Sequence, residues 1–452
     1  MLLNFLSKKK IKTILIVFML ITVALFFAAF KILNQKTFYK GVQIEGVDVS
    51  GLDMDGARGV VGEKLNNFTS SRNIMLRHED RVWEISLNDI SYRFLLENTL
   101  IDAYKLGREG GVFARIGEFI NLVYNGRNIS ADATFSKTEL LEIVSDIKHQ
   151  IDRKEKNATV EYNNGHVKHN KEVIGKIMDV DKNVDIIENK ILRRDFSVID
   201  LYVEEVAPEI QLEDISQIQE IIASFSTSFN PNNVNRTYNI KLACERISNS
   251  LILPNQVFSM DKALGTRTKE NGYKNAPVII KNQLIEGVGG GVCQVTSTLY
   301  VAVLKGKLGI VERVNHSIPL GYVEPGQDAT IAEGYIDFKF KNNKEYPILL
   351  NAEVSGGKII IRLVGKKEPS EYNVALKSVI IERISPGASE VIYDWSLSQG
   401  ETVVEKRPVE GLRVAVYRET YDDKYKLLER EKISEDLYRP VKGRIRVGHT
   451  RK

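Results

Sequence analysis

The first regime of hydrophobic positions is continuous. From Thr13 to Phe30 the chain reads TILIVFMLITVALFFAAF with no charged residue. Eighteen such residues in helical form rise about 27 Å, close to one bilayer core. All faces are apolar, which predicts a membrane span and argues against a buried core helix. Lys8, Lys9, Lys10 and Lys12 precede the run, so residues 1–12 are expected on the cytoplasmic side and the rest of the chain outside. Segment 13–33 reads as an uncleaved signal anchor. The competing reading is a cleaved signal peptide, and the length of the run and the Phe30-Lys31 that follows Ala28-Ala29 speak against it.

Beyond a tether at 34–44 the pattern becomes mixed, with periods of two and of 3.6 alternating over 38–210. VQIEGVDVSG, Val42 to Gly51, suits a strand and turn. Asp53 or Asp55 then caps a helix with Ala57, Val60, Val61 and Leu65 on one face. Thr99 to Tyr124 reads as helix broken at Gly110-Gly111, and Ser136 caps a helix bearing Leu140, Leu141, Ile143 and Val144. Ala158 to Val167 predicts a hairpin turning at Asn164-Gly165. Val184–Ile191 is expected as helix and Val198–Val203 as strand. The region thus suggests two α+β units, followed by a linker and short helix over 208–222. Residues 223–365 have a different texture. Residues 366–452 alternate Val, Tyr and Arg with little Leu or Phe, which predicts a thin β module with solvated faces.

Charge changes the picture only at the N-terminus. Lys+Arg number 63 against 59 Asp+Glu, but five lysines lie in the first 33 residues, leaving 58 basic against 59 acidic. A pI near 8.7 is therefore set by a short basic tag and gives no support for a nucleic-acid-binding face. Two cysteines, Cys244 and Cys293, are too few for a disulfide scaffold. One bond between them or a functional thiol are both open.

The densest chemistry lies in EGVGGGVCQVTSTLYVAVLKGKLG, Glu286 to Gly309. Gly287, Gly289, Gly290 and Gly291 crowd one loop, and Val295, Leu299, Ala302 and Val303 then follow a helical period. Cys293 is thus expected at a helix N-terminus, where the unpaired N–H groups lower a thiol pKa and can stabilise an oxyanion. Gln294 and the Cys293 N–H are candidate oxyanion donors. A phosphate-binding loop does not fit: no Lys-Ser or Lys-Thr follows the last glycine, and the continuous glycine run breaks the dinucleotide spacing. Of six histidines, His316 in VNHSIPLGYVEPGQDAT follows the Cys293 helix. Asp328 lies twelve residues on, across Pro325-Gly326. Two adjacent strands would set His316 beside Asp328, giving the chain order Cys, His, Asp of papain-like and transglutaminase-like thiol enzymes. Asp337 is a second candidate for the orienting carboxylate. The bland alternatives are a buried apolar Cys293 and a His316 bonded to a backbone carbonyl. No CxxC or HxxxH pair occurs, so no metal and no cofactor is expected.

These same residues carry a resemblance. GVGGGVCQVTSTLY, NHSIPLGYV, GQDAT, the upstream Phe225–Thr268 block and the closing IDFKFKNNKEYPILL resemble the VanW family over 223–365. The resemblance implies a membrane-anchored, exported protein of the kind first noted in glycopeptide-resistance clusters of Gram-positive bacteria. Cys293, Gln294, His316, Ser317 and Asp328 match its motif positions, and Cys244 departs from them. VQIEGVDVSGLDMDGA and the α+β pattern of 38–210 resemble a YoaR-like peptidoglycan-binding domain. Residues 366–452, with Gly387, Gly400, Gly411, Gly443 and Gly448, resemble the G-five module, which implies binding to N-acetylglucosamine-containing polymers. The expected fold class is α+β multidomain: a transmembrane helix, an α+β binding region, an α/β VanW domain of thiol-protease or transglutaminase type, and a β-rich module. Peptidoglycan or another wall polymer is the expected partner, with the membrane and without nucleic acid. Two functions stand: a non-catalytic wall-binding protein, placed first, and a cysteine-dependent amidase or acyltransferase acting on stem peptides.

Overall fold

The computed structural model describes residues 2–280, 283–366 and 373–449. The chain divides into two units, Met1–Lys154 with Gly175–Val206, and Glu155–Ile174 with Ala207–Lys452. In the first unit a helix of 32 residues, Leu2–Leu33, contains the apolar run. Lysines are good helix formers, so the helix continues back through them. Its Lys9–Leu33 portion is long and apolar enough to cross a membrane by length and composition. The tether expected after it is shorter than 34–44. Phe38, Tyr39, Val42 and Ile44 are buried, because they seed the core that receives Ala57, Val61, Leu65 and Leu100.

That core lies under helix Met54–Ser70, whose N-cap is Asp53; its Oδ1 accepts from Gly56 N at 2.8 Å. The buried stripe of this helix is Ala57, Val61 and Leu65, narrower than expected, and Val60 is 42% exposed. The expected break gives two helices, Leu96–Lys105 and Val112–Asn125. A second core joins hairpin Asn73–His78/Arg81–Ser86 to helices Lys137–Ile151 and Val180–Leu192. The strand expected over 198–203 is split. Ile199–Asp200 pairs in parallel with Asn73–His78, and Val203–Val206 pairs with Gly175–Met178. Buried Asn183 causes the break: it binds both the N–H and the carbonyl of Tyr202, each at 2.8 Å.

The second unit is built on an antiparallel sheet in the order Glu220–Ser228, Lys358–Gly365, Ile348–Ser355, Ser250–Ile252. Alternation makes it two-sided. Ile359, Ile361 and Leu363 face the core that contains helices Val234–Ile247 and Val292–Lys305, while Leu349 and Val364 belong to a smaller cluster. That second cluster is closed by Ala158, Val160, Tyr162, Ile215 and Ile218. It explains why hairpin Thr159–Asn163/His166–Asn170 counts with this unit, although its neighbours in sequence belong to the other. Its turn has Asn164 at φ 52° and Gly165 at φ 87°, as a two-residue hairpin requires.

Toward the C-terminus, Gly411–Tyr421 lies between Asn373–Ile384 and Leu427–Tyr438 in one sheet. Arg444–Gly448 lies between Glu390–Asp394 and Thr402–Lys406 in another. The module's own cluster is Leu412, Val414 and Tyr438, so it is thin, and Leu376 and Ile433 lean on the main core instead. The architecture is mixed α+β with an N-terminal apolar helix and a β-rich C-terminal part.

Candidate active site

The glycine loop leaves hairpin Asn275–Ile280/Gln283–Val288 and enters helix Val292–Lys305. Two of its glycines are required. A Cβ on Gly290 would stand 2.5 Å from the Pro277 carbonyl oxygen. Gly291 has φ 108°, and its Cβ would meet Ile240 at 2.8 Å. Gly289, at φ 82°, begins the turn, and its carbonyl accepts from Val292 N at 3.2 Å. Buried Asn239 locks the loop by donating to Gly290 O at 3.1 Å and to Lys274 O at 2.9 Å.

Cys293 therefore sits in the first turn of a helix of 14 residues. Val295, Leu299, Ala302 and Val303 are all buried along its length. Ser297 Oγ donates to Cys293 O at 2.8 Å and accepts from Ala329 N at 3.0 Å, which ties the helix to the chain beside Asp328.

His316 and Asp328 meet, but by a different route from the expected pair of strands. Both lie between strands Gly309–Glu312 and Lys339–Lys341, in a loop whose backbone groups are satisfied largely by side chains. Asp328 Oδ2 accepts from His316 N and from His316 Nδ1, each at 2.6 Å. With Nδ1 engaged, Nε2 is the ring nitrogen left for Cys293, whose thiol donates to Ile331 O at 3.8 Å and interacts electrostatically with the imidazole. His316 is 8% exposed and Asp328 1%, and Cys293 is half-buried.

The electrostatics follow from this chain of bonds. Burial opposes the Cys293 thiolate, but the imidazole outweighs it, with help from the Ile331 backbone and Arg267, so the thiol pKa is lowered. Burial also opposes the imidazolium, yet the bonds to Asp328 and Cys293 raise the His316 pKa to about 9. Asp328 is likewise buried, but His316 and Tyr438 hold it below the usual carboxylate range. The arrangement can carry a thiolate–imidazolium pair with an ionised carboxylate behind it.

The remaining expected residues fall elsewhere or play other parts. Gln294 is 2% exposed and its donors are taken: Nε2 donates to Thr227 Oγ1 at 3.0 Å and to Ser228 O at 2.9 Å, while Oε1 accepts from Arg236 at 2.7 Å. It ties the helix to the central sheet, so its side chain has no hydrogen left for an oxyanion. Asp337 accepts from Ser259 Oγ at 2.6 Å and from Asp261 N at 2.8 Å; it organises helix Met260–Leu264 rather than His316. Both cysteines are free. Cys244 is buried in the core, and burial pushes its thiol pKa up to about 12. Arg313 and Tyr438, which contact Asp328, were not foreseen. Arg313 lies three residues before His316, and a buried arginine leaves no periodic signal. Tyr438 is 110 residues from its partner. Among the described residues no group of three or more His, Cys, Asp or Glu side chains is placed to hold a metal ion.

Residues 235–364 match the family model described as "VanW like protein". Residues 83–200 match "Putative peptidoglycan binding domain", and residues 377–450 match "G5 domain". "Uncharacterized protein YoaR" of Bacillus subtilis (strain 168) is 43% identical over 159 residues, covering 35% of this chain and 52% of that protein. "Vancomycin B-type resistance protein VanW" of Enterococcus faecalis (strain ATCC 700802 / V583) is 31% identical over 169 residues, covering 36% of this chain and 60% of that protein. The chain thus spans 52% and 60% of the length of these two relatives. A solved structure, "IgA1 Protease G5 domain structure", is 19% identical over 18% of this chain and 93% of its own, with a TM-score of 0.13. In chain order, then, this protein carries a peptidoglycan-binding family domain, a VanW-like domain that holds Cys293, His316 and Asp328, and a G5 domain.

Proposed function

We propose that this chain is an exported, membrane-anchored enzyme of the cell wall that breaks or transfers an amide bond of peptidoglycan stem peptides through Cys293. The observation that carries the reading is the His316 ring, bonded through Nδ1 to Asp328 and coupled electrostatically to a thiol at a helix start. In the reaction the Cys293 thiolate attacks the carbonyl carbon and forms the C–S bond. His316 Nε2 gives its proton to the leaving amine as the C–N bond breaks. Water or a second amine then attacks the thioester and releases the thiol. Asp328 keeps the imidazole in the tautomer that does this. With the Gln294 side chain engaged, the N–H groups of the first helical turn are the donors for the oxyanion. The order of helix-borne Cys, then His, then Asp is the one thiol proteases and transglutaminases use.

The substrate class rests on company. A peptidoglycan-binding family domain precedes the site and a G5 domain follows it, and two wall-binding modules raise the local concentration of polymer. The apolar helix and its lysines support anchoring with the bulk of the chain outside. A wall-binding role without chemistry is the simpler reading of the flanking domains, and one experiment separates the two. The full-length protein is incubated with peptidoglycan fragments bearing intact stem peptides, and products are read by mass. Cys293→Ser is expected to lower turnover on the order of 10⁴-fold while leaving binding to purified sacculi unchanged. No product from the wild type, with the same sacculus binding in both proteins, would contradict the enzymatic reading.

A further inference from the structure

We infer that Tyr438, on the last strand of the sheet Asn373–Ile384/Gly411–Tyr421/Leu427–Tyr438, is a positioning residue for Asp328, so that the C-terminal module completes the cysteine site. The inference rests on the thiol reading above and goes beyond it, because Tyr438 lies outside the VanW-matched residues 235–364 and inside the G5-matched residues 377–450.

The hydroxyl of Tyr438 is fully buried and its proton has one destination. The oxygen accepts from Gly326 N at 2.6 Å and lies 2.5 Å from Asp328 Oδ1. A backbone N–H can only donate, so the phenol hydrogen goes to the carboxylate. Burial and then the Asp328 charge push the Tyr438 pKa up, which keeps that hydrogen in place. Oδ2 is meanwhile occupied by His316 N and Nδ1. One oxygen therefore faces the imidazole and the other faces the C-terminal module, which fixes the carboxylate plane.

Two further contacts hold the same turn. Gly326 has φ +85°, and a Cβ there would stand 2.4 Å from Val416 of the central strand. Arg313 donates to Asp328 O at 2.8 Å, to Gly326 O at 3.0 Å and to Asp436 at 2.5 Å. The charged and titratable groups around Asp328 are thus His316, Tyr438 and Arg313, whose guanidinium is 3.7 Å from Oδ1, with Asp436, Tyr300 and Tyr322 behind them. On the far side, Arg236 and Arg267 face Cys293. Without the phenol hydroxyl, Oδ1 keeps only the more distant Arg313. An ionised Asp328 becomes harder to bury, its rotamer is freed, and the imidazolium that sustains the thiolate weakens.

The test is the pH profile of Cys293 alkylation in the full-length chain, with Tyr421→Phe as a control. Tyr421 donates to Glu419 at 2.6 Å in the same sheet and does not touch Asp328. Tyr438→Phe is expected to move the acid limb up by about one pH unit, roughly tenfold less thiolate at a given pH. Tyr421→Phe is expected to leave it in place. An unmoved limb in Tyr438→Phe overturns this inference and spares the thiolate–imidazole reading. A wild type with no limb below about 8.5 overturns that reading and this inference with it. Should Tyr438→Phe fail to fold, 3-fluorotyrosine at 438 keeps the shape and changes the acidity of the donor. A displaced limb then supports the inference, and an unmoved one overturns it.

Discussion

Cys244 and Cys293 are one side chain in two chemical states, set by their neighbours. Cys244 is packed in the apolar core, and burial, with the Glu245 charge, pushes its pKa up to about 12, so it stays a thiol. Cys293 has an imidazole, and its pKa is lowered. Their titrations imply an unusual pH dependence of stability. A His316 pKa raised to about 9 contributes stability that is fully present below about 6.5 and is lost as pH rises through about 9. A lowered Cys293 pKa contributes in the opposite sense, present above the free-thiol value and lost as pH falls. If the folded pair is thiolate and imidazolium across the interval between the two free values, about 6.5 to 8.5, it holds one proton on His316 while the unfolded chain holds one on Cys293, and the two slopes cancel. Denaturant unfolding of the wild type should therefore be flat across that window, as far as this pair is concerned. Cys293→Ala should lose stability as pH rises through it, because Asp328 still raises the His316 pKa. A wild-type slope equal to that of Cys293→Ala would mean that the thiol is protonated in the folded state. At this scale Cys293, His316 and Asp328 were legible because their types and order are chemically distinctive. Tyr438 was not, because no local pattern links a strand-end tyrosine to a carboxylate 110 residues away.

The element that positions the thiol is the glycine loop with its helix. Its helical period and glycine density could be read directly, since both are local. Gly290→Ala puts a Cβ within 2.5 Å of a carbonyl oxygen and should cost about 1–3 kcal/mol in denaturant unfolding. It should also blunt Cys293 alkylation by shifting the helix start. An Ala variant as stable as wild type would mean that the loop is not packed as described. Other elements were misread for a physical reason. Strands were expected to pair His316 with Asp328, but the segment between Glu312 and Lys339 satisfies its backbone through Arg313, Ser297 and Tyr438. Such side-chain bonds have no period. The split at Tyr202 has the same origin in Asn183, as does the reassignment of Gln294 from oxyanion donor to a tie beneath the helix.

For the whole molecule, the proposal places wall-binding domains on both sides of a thiol site and an anchor ahead of them. If Lys9–Leu33 spans a bilayer, Leu20→Lys combined with Leu25→Lys adds about 2.5–3.5 kcal/mol of insertion cost per residue. The variant should then leave the carbonate-washed membrane fraction in which the wild type remains. Equal retention would contradict anchoring by this helix. The domain order was legible because its motifs are contiguous blocks, such as GVGGGVCQVTSTLY and NHSIPLGYV. That the C-terminal module reaches into the site was not, since it is a product of folding between distant segments. The account's central claim is that Cys293 is a thiolate sustained by His316. Its most direct test is the pH dependence of Cys293 alkylation in the full-length protein, read by peptide mass, for wild type and His316→Ala. The account predicts modification of the wild type near about pH 6, well below the free-thiol value of about 8.5. In His316→Ala burial loses its main opponent, and the profile should move toward or above that value. A wild-type profile centred near about 8.5, unchanged by His316→Ala, would contradict it.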